Sequence, residues 1–154
     1  STLFPYTTLF RSAPNLIKLG MAVIEEANRQ LTVRHPARPE VRTVDVAMFY
    51  REGPGPNQGG GAVVYGESHL DRSPCGTGTA AKLTLMHHEG RINIRQNYRN
   101  YGPLGTYFEA FADSETRVGD LPAVIVEIRG GAYLTGRSEF TVDPADPFPQ
   151  GFLL

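Results

Sequence analysis

The chain has 154 residues, which is enough for one domain with a buried core. Hydrophobic residues make up 40% of it, charged residues make up 20%, and the formal net charge is −1. These values are typical of a soluble globular protein, and they give no electrostatic reason to expect binding to nucleic acid or to an anionic membrane. No apolar run approaches the roughly 20 residues of a membrane-spanning helix.

The first half of the chain contains one amphipathic helix and two strand-like segments. From Pro14 to Leu31 apolar residues recur with helical spacing, and the proline stands near the start, where helices tolerate it. Val41–Tyr50 alternates apolar and polar residues, as a half-buried strand does. A Gly- and Pro-rich loop, Arg51–Gly60, separates it from the apolar segment Gly61–Gly66, which we expect to be a short buried strand.

A second helix is predicted over Ser73–Glu89, and Gly90 follows it as a helix-ending residue. The alanines, leucines and methionine of this segment leave almost no polar face apart from Lys82. A helix that is apolar nearly all round is a buried helix. We therefore expect it to lie at the centre of the fold.

Strand-like segments occupy the rest of the chain, and turn residues separate them. They are Arg91–Arg95, Gly105–Ala112, Ala123–Arg129, Ala132–Thr135 and Phe140–Val142. The tail Asp143–Pro149 is rich in proline, which removes hydrogen-bond donors and so excludes regular structure. The sequence predicts a mixed α/β (α+β) fold, in which a mostly antiparallel, barrel-like sheet surrounds one buried central helix.

The first twelve residues, STLFPYTTLFRS, resemble the translation of a widely used DNA sequencing adapter. They lack an initiating methionine, and no cleavage region of a signal peptide follows them. We therefore predict that residues 1–12 are a non-native segment and that residues 13–154 are the native part. On this interpretation the native protein continues upstream of Ser12; the alternative is a natural aromatic strand.

Cys75 is the only cysteine and stands at the start of the second predicted helix, in the segment SPCGTGT. The free N–H groups of a first helical turn attract anions, and glycines let an anion approach the backbone. The same helix end favours a thiolate over a thiol, so we expect Cys75 to be a usable base or nucleophile. Asp71, four residues earlier, adds a carboxylate that can bind a cation. A thiol between an anion site and a cation site predicts a pocket for an α-amino acid.

Simpler interpretations of these residues have to be weighed. A lone cysteine is often a small buried hydrophobe, and an aspartate such as Asp71 often only caps a turn. The glycine spacing of Gly76–Ala81 loosely resembles a dinucleotide fingerprint, but a polar segment separates it from the preceding strand. His87 and His88 point about 100° apart on a helix, so we assign them no metal.

The segment DRSPCGTGTAAK, Asp71–Lys82, resembles the second cysteine motif of the proline racemase family. NLIKLGMAVIEEAN and VRTVDVAMFY resemble a helix of that family and the strand that follows it. GPLGTYFEAF resembles a Gly-Thr-x-Phe strand, while AVIVEIRGGAYLTG and DPADPFPQGFLL resemble the closing segments. The resemblance extends from Ala13 to Leu154.

The resemblance implies cofactor-independent acid–base chemistry at the α-carbon of proline or hydroxyproline. Family members have two pseudo-symmetric lobes, as diaminopimelate epimerase has, and each lobe carries a cysteine at the start of a buried helix. Matched position by position, the motif implies that Cys75 is the second acid or base and that Asp71 contacts the substrate amine. Gly76 and Thr77 are implied to offer backbone N–H groups to the substrate carboxylate, and Tyr65 to line the pocket for the ring.

The first cysteine motif of the family, which resembles Met-Cys-Gly-His, has no counterpart in this chain. We therefore expect the chain to be the C-terminal lobe of a proline racemase or hydroxyproline epimerase and to be inactive by itself. Two alternatives stay open: the trans-3-hydroxy-L-proline dehydratase branch, which usually has Thr or Ser in place of Cys75, and a non-catalytic anion-binding lobe. We expect no cofactor, no metal, and no nucleic-acid or membrane partner. We also expect a cytoplasmic location, where a lone thiol stays reduced, and a homodimer for the full-length protein.

Overall fold

The computed structural model describes residues 6–53, 55–66 and 69–151, with the backbone alone for residues 6–11. Two helices and six strands form in these ranges. In chain order they are α1 (Tyr6–Gln30), β1 (Val46–Glu52), β2 (Gln58–Tyr65), β3 (His69–Leu70), α2 (Gly76–His88), β4 (Tyr98–Tyr101), β5 (Tyr107–Val118) and β6 (Leu121–Arg129). Neither of the described helices is both long and apolar enough to cross a membrane.

The strands form one sheet in the order β1-β2-β4-β5-β6, and β3 pairs with β2 beside this path. β2 and β4 run parallel, whereas every other described pairing is antiparallel. The predictions of a mixed α/β fold and of a mostly antiparallel sheet are therefore confirmed. Within the described residues the sheet is open, with β1 and β6 at its edges, so the predicted barrel-like closure does not occur in this part of the chain.

Strand β2 is buried on both faces because each helix packs on one of them. Side chains alternate between the faces of a strand, so Val63 and Val64 point in opposite directions. A Cβ added at Gly20 of α1 would lie 2.8 Å from Val64 Cβ, whereas one added at Gly78 of α2 would lie 3.0 Å from Val63 Cγ2. The two glycines thus allow close packing on opposite sides of the sheet. This explains why β2 is a continuous run of small and apolar residues rather than an alternating one.

Helix α2 is buried on one side only. Its buried side joins the hydrophobic cluster Leu83, Met86, Ile92, Tyr98 and Ala110. The opposite side is open, and Leu85 there is 41% exposed. The prediction of a helix buried all round is therefore wrong, because none of the described residues covers the side that carries Leu85. Lys82, predicted to be the polar face, is instead buried against the sheet.

Helix α1 begins at Tyr6, about two turns before the predicted start at Pro14. Pro14 lies inside α1, where it removes one helical hydrogen bond, yet the residues on both sides of it stay helical. α1 therefore includes residues 6–12 of the adapter-like segment, while residues 1–5 lie outside the described ranges. The non-native origin of that segment stays a prediction.

Residues 91–97 form turns and bends rather than the predicted strand Arg91–Arg95. Arg95 has φ +60, which lies outside the extended region and interrupts a strand. Its N–H donates to the Ala112 carbonyl at 2.7 Å. The next residues then form β4, a strand that the sequence analysis missed.

After β6 no helix or strand forms in the described residues up to Gly151. The strands predicted at Ala132–Thr135 and Phe140–Val142 are therefore wrong for this chain, since an extended segment becomes a strand only when it pairs with another. Asp143–Pro149 is irregular, as predicted. Several large apolar side chains between β6 and Gly151 are exposed: Tyr133, Leu134, Phe140, Val142 and Phe148.

Candidate active site

Cys75 is the N-cap of α2, the residue just before its first turn. Its backbone has φ +60 and ψ 114, and such sparsely populated conformations cost of order 1–3 kcal/mol in residues other than glycine. The side chain lies over the first helical turn, where Sγ accepts a hydrogen bond from the Gly78 N–H at 3.3 Å. The thiol therefore caps the helix, and backbone strain is located at the cysteine itself.

A series of short-range hydrogen bonds fixes the loop before Cys75. The Asp71 N–H donates to the Val63 carbonyl of β2 at 2.8 Å. The Asp71 carboxylate accepts from the Ser73 N–H at 2.8 Å, and the Ser73 hydroxyl accepts from the Cys75 N–H at 3.0 Å. Asp71 thus caps a turn, and the same turn brings its carboxylate close enough to the thiol to influence it.

The pKa of the Cys75 thiol lies above the ordinary cysteine value. Burial is the main cause, because it penalises the thiolate, and the neighbouring Asp71 carboxylate raises the pKa further. The N–H groups of Gly78 and Thr77 act in the opposite direction and are outweighed. The helix end therefore does favour the thiolate, but burial and Asp71 outweigh it, so the expected net lowering of the Cys75 pKa is wrong for this chain and the thiol stays protonated at neutral pH.

Gly76 and Thr77 follow the thiol directly and form the first turn of α2. The N–H groups of a first helical turn have no partner within the helix, so they are available to a capping group or a ligand. A Cβ added at Gly76 would meet no atom within 4 Å. Nothing in the described part of the chain therefore requires a glycine at that position.

Tyr65 is the last residue of β2, two residues beyond Val63 and on the same face of the strand. Because Val63 contacts α2, Tyr65 also lies on the α2 side of the sheet, about 7 Å further along the strand. Its side chain is 42% exposed, and its ring stacks on His69 with 5.6 Å between centroids. The structure thus gathers Asp71, Cys75, Gly76 and Thr77 in one turn and sets Tyr65 outside it, at the end of a neighbouring strand.

Sequence analysis missed Asn100, a fully buried polar residue of β4. Its Nδ2 donates to the Pro74 carbonyl at 3.1 Å and to the Thr79 hydroxyl at 2.8 Å. Thr79, also fully buried, donates in turn to the Cys75 carbonyl at 2.7 Å. The segment YRNY carries a signal for this residue, because Tyr98 and Asn100 share one face of the strand and a buried amide needs partners.

Lys82 is a second buried polar residue that was not anticipated. Its Nζ makes no hydrogen bond with any described residue and lies 5.1 Å from the ring centre of Tyr50 and 5.0 Å from that of Tyr98. Burial lowers the pKa of Lys82 to about 8, against the opposing attraction of Glu52. Burial likewise raises the pKa of Tyr98 to about 12. Both groups lie on the sheet side of α2, behind the Cys75 turn.

No three His, Cys, Asp or Glu side chains in the described ranges converge as metal ligands would. His87 contacts Glu115 through Nε2 at 3.0 Å, and its Nδ1 lies 3.3 Å from the Ile92 carbonyl. Both ring nitrogens of His87 are therefore engaged within the chain. The functional groups of the site are the thiol, the carboxylate and the backbone donors around Cys75.

The solved structures that this fold resembles are of amino-acid isomerases. One is a probable proline racemase from Agrobacterium radiobacter K84 with bound carbonate, at a TM-score of 0.78 and 32% identity, which aligns over 94% of this chain and 42% of that one. Another is a hydroxyproline epimerase from Agrobacterium vitis with bound trans-4-hydroxy-L-proline, at a TM-score of 0.79 and 30% identity, over 100% of this chain and 43% of that one. Both matched structures are thus of isomerases, and this chain shares the fold of about two-fifths of each.

The chain belongs to the proline racemase family, as the cysteine motif predicted. The family model described as proline racemase matches residues 7–153. Proline racemase from Acetoanaerobium sticklandii is 39% identical over 138 residues, which are 89% of this chain and 41% of that protein. A 4-hydroxyproline 2-epimerase from Streptosporangium roseum is 35% identical over 139 residues, 90% of this chain and 42% of that protein. The chain therefore spans about two-fifths of the length of these relatives.

Proposed function

We propose that this chain is the C-terminal lobe of a cofactor-independent racemase or epimerase that inverts the α-carbon of proline or hydroxyproline. The observation that carries the proposal is the Cys75 turn, in which a protonated thiol stands beside the Asp71 carboxylate and the N-terminal donors of α2. This arrangement offers what inversion of an α-amino acid requires: a proton donor, a partner for the ammonium group and donors for the carboxylate.

In the proposed reaction a base on one face takes the α-proton of the substrate as the C–H bond breaks. The electron pair delocalises into the substrate carboxylate, whose growing charge is stabilised by the N–H groups of Gly76 and Thr77. Cys75 then gives its Sγ proton to the opposite face of the same carbon and becomes a thiolate. In the reverse direction the thiolate takes the proton, so Cys75 is the acid for one enantiomer and the base for the other.

Asp71 has two effects on this chemistry. In the free chain its carboxylate helps to raise the pKa of Cys75 and so keeps the thiol protonated. When the substrate ammonium pairs with Asp71, its positive charge offsets that carboxylate and makes transfer of the Sγ proton easier. The same contact aligns the α-carbon with the thiol.

One thiol cannot serve both faces of a carbon atom, and Cys75 is the only cysteine here. We place a second acid–base cysteine in the part of the full-length protein that these 154 residues do not include, and we expect the chain alone to be inactive.

Two surfaces are available for contact with that further part of the protein: the exposed side of α2 and the segment 132–148, which carries exposed large apolar side chains. We expect a first lobe to cover them, in a two-lobed arrangement like that of diaminopimelate epimerase, with the substrate between the lobes. Tyr65, on the α2 side of the sheet, would then line the pocket for the ring. A homodimer of the full-length protein and a cytoplasmic location belong to the same proposal, on the strength of the family.

The test is exchange of the α-hydrogen with solvent deuterium in the full-length protein that contains this chain, using each enantiomer of proline and of 4-hydroxyproline. We expect exchange to accompany inversion, and we expect Cys75→Ser to slow inversion by about 100-fold or more. Thr84→Val, further along the same helix, is the control. Exchange on both enantiomers that survives Cys75→Ser would refute the role of the thiol. A cyclic imine or enamine formed from trans-3-hydroxy-L-proline would instead indicate the dehydratase reaction.

A further inference from the structure

We propose that Thr79 and Asn100 are positioning residues that hold Cys75 in its strained turn. The catalytic meaning of this inference rests on the proposed function, but the bonds that carry it belong to the chain alone. Neither residue touches the thiol. Both act on the backbone on either side of it.

Thr79 connects the helix to the cysteine through two of its own atoms. Its backbone N–H donates to the Cys75 carbonyl at 2.9 Å, which is the first hydrogen bond of α2. Its hydroxyl donates to the same carbonyl at 2.7 Å and lies 3.2 Å from the Pro74 carbonyl. The Cys75 carbonyl therefore accepts two bonds from one residue, which fixes the peptide that follows the strained φ and ψ.

Asn100 connects the Cys75 corner, by which we mean the backbone of Pro74 and Cys75, to the sheet. The two Nδ2 hydrogens reach the Pro74 carbonyl at 3.1 Å and the Thr79 hydroxyl at 2.8 Å. The Asn100 amide thus binds the peptide group that precedes Cys75. It also binds the Thr79 side chain, which in turn holds the peptide group that follows Cys75. Because β4 is an interior strand of the sheet, these bonds tie the turn at Pro74 and Cys75 to the middle of the sheet.

The Asn100 amide occupies this buried position although one of its atoms lowers the stability of the fold. Asn100 is fully buried, and its Oδ1 has no hydrogen-bond partner in the described residues. A buried polar atom without a partner is destabilising by about 1–3 kcal/mol. An apolar side chain of the same size would avoid this cost. The two hydrogen bonds that Asn100 Nδ2 donates to the Pro74 carbonyl and the Thr79 hydroxyl explain why a polar side chain stands there instead.

A close backbone approach supports the same corner from a third direction. A Cβ added at Gly102 would lie 2.7 Å from Pro74 N and 2.8 Å from the Ser73 carbonyl oxygen. The chain after β4 therefore runs directly against the peptide between Ser73 and Pro74. The Cys75 turn is held by hydrogen bonds on one side and by this contact on the other.

The experiment measures the pH dependence of Cys75 alkylation by iodoacetamide in the 154-residue chain, which contains no other thiol. Thr79→Val removes the hydroxyl without changing the size of the side chain, Thr79→Ser keeps the hydroxyl, and Asn100→Leu removes both donors. Thr84→Val is the matched control, because Thr84 makes the same type of bond to a carbonyl four residues back, that of Ala80 at 2.8 Å, which lies further along α2 than Pro74 and Cys75.

We expect the alkylation midpoint to fall toward that of a free cysteine in Thr79→Val and in Asn100→Leu, because a released turn exposes Sγ and separates it from Asp71. The alkylation rate at neutral pH should rise severalfold in both. Thr79→Ser and Thr84→Val should match the wild type. In the full-length enzyme Thr79→Val and Asn100→Leu should lower kcat more than they raise KM.

An unchanged midpoint in folded Thr79→Val would overturn the inference, and so would an equal change in Thr84→Val. If Thr79→Val does not fold, Asn100→Leu decides; failure of both to fold beside a stable Thr84→Val would assign the pair a purely structural role and overturn the inference. A full-length protein that lacks isomerase activity would refute the proposed function while leaving the thiol result intact.

Discussion

Gly76 and Gly78 lie two residues apart in the first turn of α2, and a side chain would meet opposite surroundings at the two positions. A Cβ at Gly76 would have no atom within 4 Å, whereas one at Gly78 would lie 3.0 Å from Val63 Cγ2 and 3.1 Å from Met48 Sδ. Packing accounts for the glycine at position 78 and not for the one at 76. The space above Gly76 is where we place the substrate carboxylate.

Gly76→Ala is expected to keep or slightly raise the stability of the chain, because alanine favours a helix by up to about 1 kcal/mol over glycine and no neighbour is crowded. Gly78→Ala is expected to be destabilised by about 1–3 kcal/mol, because the new methyl group overpacks the contact with β1 and β2. Thermal unfolding followed by circular dichroism measures both. A lower midpoint for Gly76→Ala than for Gly78→Ala would contradict this explanation.

Asp71→Asn should lower the pKa of Cys75, because the carboxylate that destabilises the thiolate is removed while burial remains. Asparagine keeps the side-chain oxygen that accepts from the Ser73 N–H, so the turn is preserved. The alkylation rate of Cys75 across the pH range measures the change. Asp113→Asn, which alters a carboxylate on β5, serves as the control and should leave the profile of the wild type. A profile for Asp71→Asn shifted to higher pH would show that Asp71 does not act on the thiol in this way.

Lys82→Met should stabilise the chain. Lowering the pKa of Lys82 from 10.5 to about 8 corresponds to ~3 kcal/mol of unfavourable burial of the ammonium, from which the lost contacts with two tyrosine rings subtract about 1–2 kcal/mol. We expect a net gain of about 1–2 kcal/mol in the free energy of unfolding by urea. Lys18→Met on the exposed side of α1 should change stability by less than about 0.5 kcal/mol. A destabilised Lys82→Met would mean that the ammonium makes a favourable contact.

The stability of the wild type should respond to pH through the same lysine. Between pH about 8 and pH about 10.4 the folded chain releases the Lys82 proton while the unfolded chain retains it, so this group makes stability rise with pH. Above pH about 10 the raised pKa of Tyr98, about 12, acts in the opposite direction, because the unfolded tyrosine ionises first. The stability advantage of Lys82→Met over the wild type should therefore shrink from about pH 7.5 to about pH 9.5 in urea unfolding. A constant difference across that range would contradict the lowered lysine pKa.

The segment after Gly131 should be open to proteolysis in the isolated chain. Tyr133 and Phe140 are 93% and 89% exposed and belong to no strand, so chymotrypsin should cut there first. Tyr98, which is 1% exposed, should be spared and is the internal comparison. A chain that ends at Gly131 should unfold at the same temperature as the full chain. A lower unfolding temperature after truncation would show that the segment packs on the sheet, and early cleavage at Tyr98 would show that the core opens before the segment is cut.

The parts of the site that were predicted from the sequence are those formed by neighbours in the chain. Asp71, Cys75, Gly76 and Thr77 lie within seven residues, and turn and helix-start chemistry acts over that range. Asn100 comes from a strand 25 residues after the cysteine, and β4, with four residues, is too short to give a clear alternating pattern. Its role depends on the parallel pairing of β4 with β2, which no local signal encodes.

The failed expectations share a physical cause, because each concerns a property set by distant contacts. The helix end alone lowers a thiol pKa, but partial burial of Cys75 and the nearby Asp71 carboxylate outweigh it. The composition of Phe140–Val142 favours a strand, but a strand also needs a partner edge. The apolar pattern of α2 indicated burial all round, and Lys82 rather than Leu85 is the residue that the sheet covers.

Strand β2 connects the two helices through adjacent valines, Val64 beneath α1 and Val63 beneath α2. The pairing of Val63 with Met48 therefore determines on which side of the molecule the cysteine emerges. A slip of one residue between β1 and β2 would exchange the two faces. After such a slip, the surface of β2 on which α2 packs would face α1 instead. Helix α2, and the thiol at its start, would then have no surface to pack on. The side of the sheet on which the thiol stands is thus set by the alignment of two strands that contribute no atom to the Cys75 turn except the Val63 carbonyl.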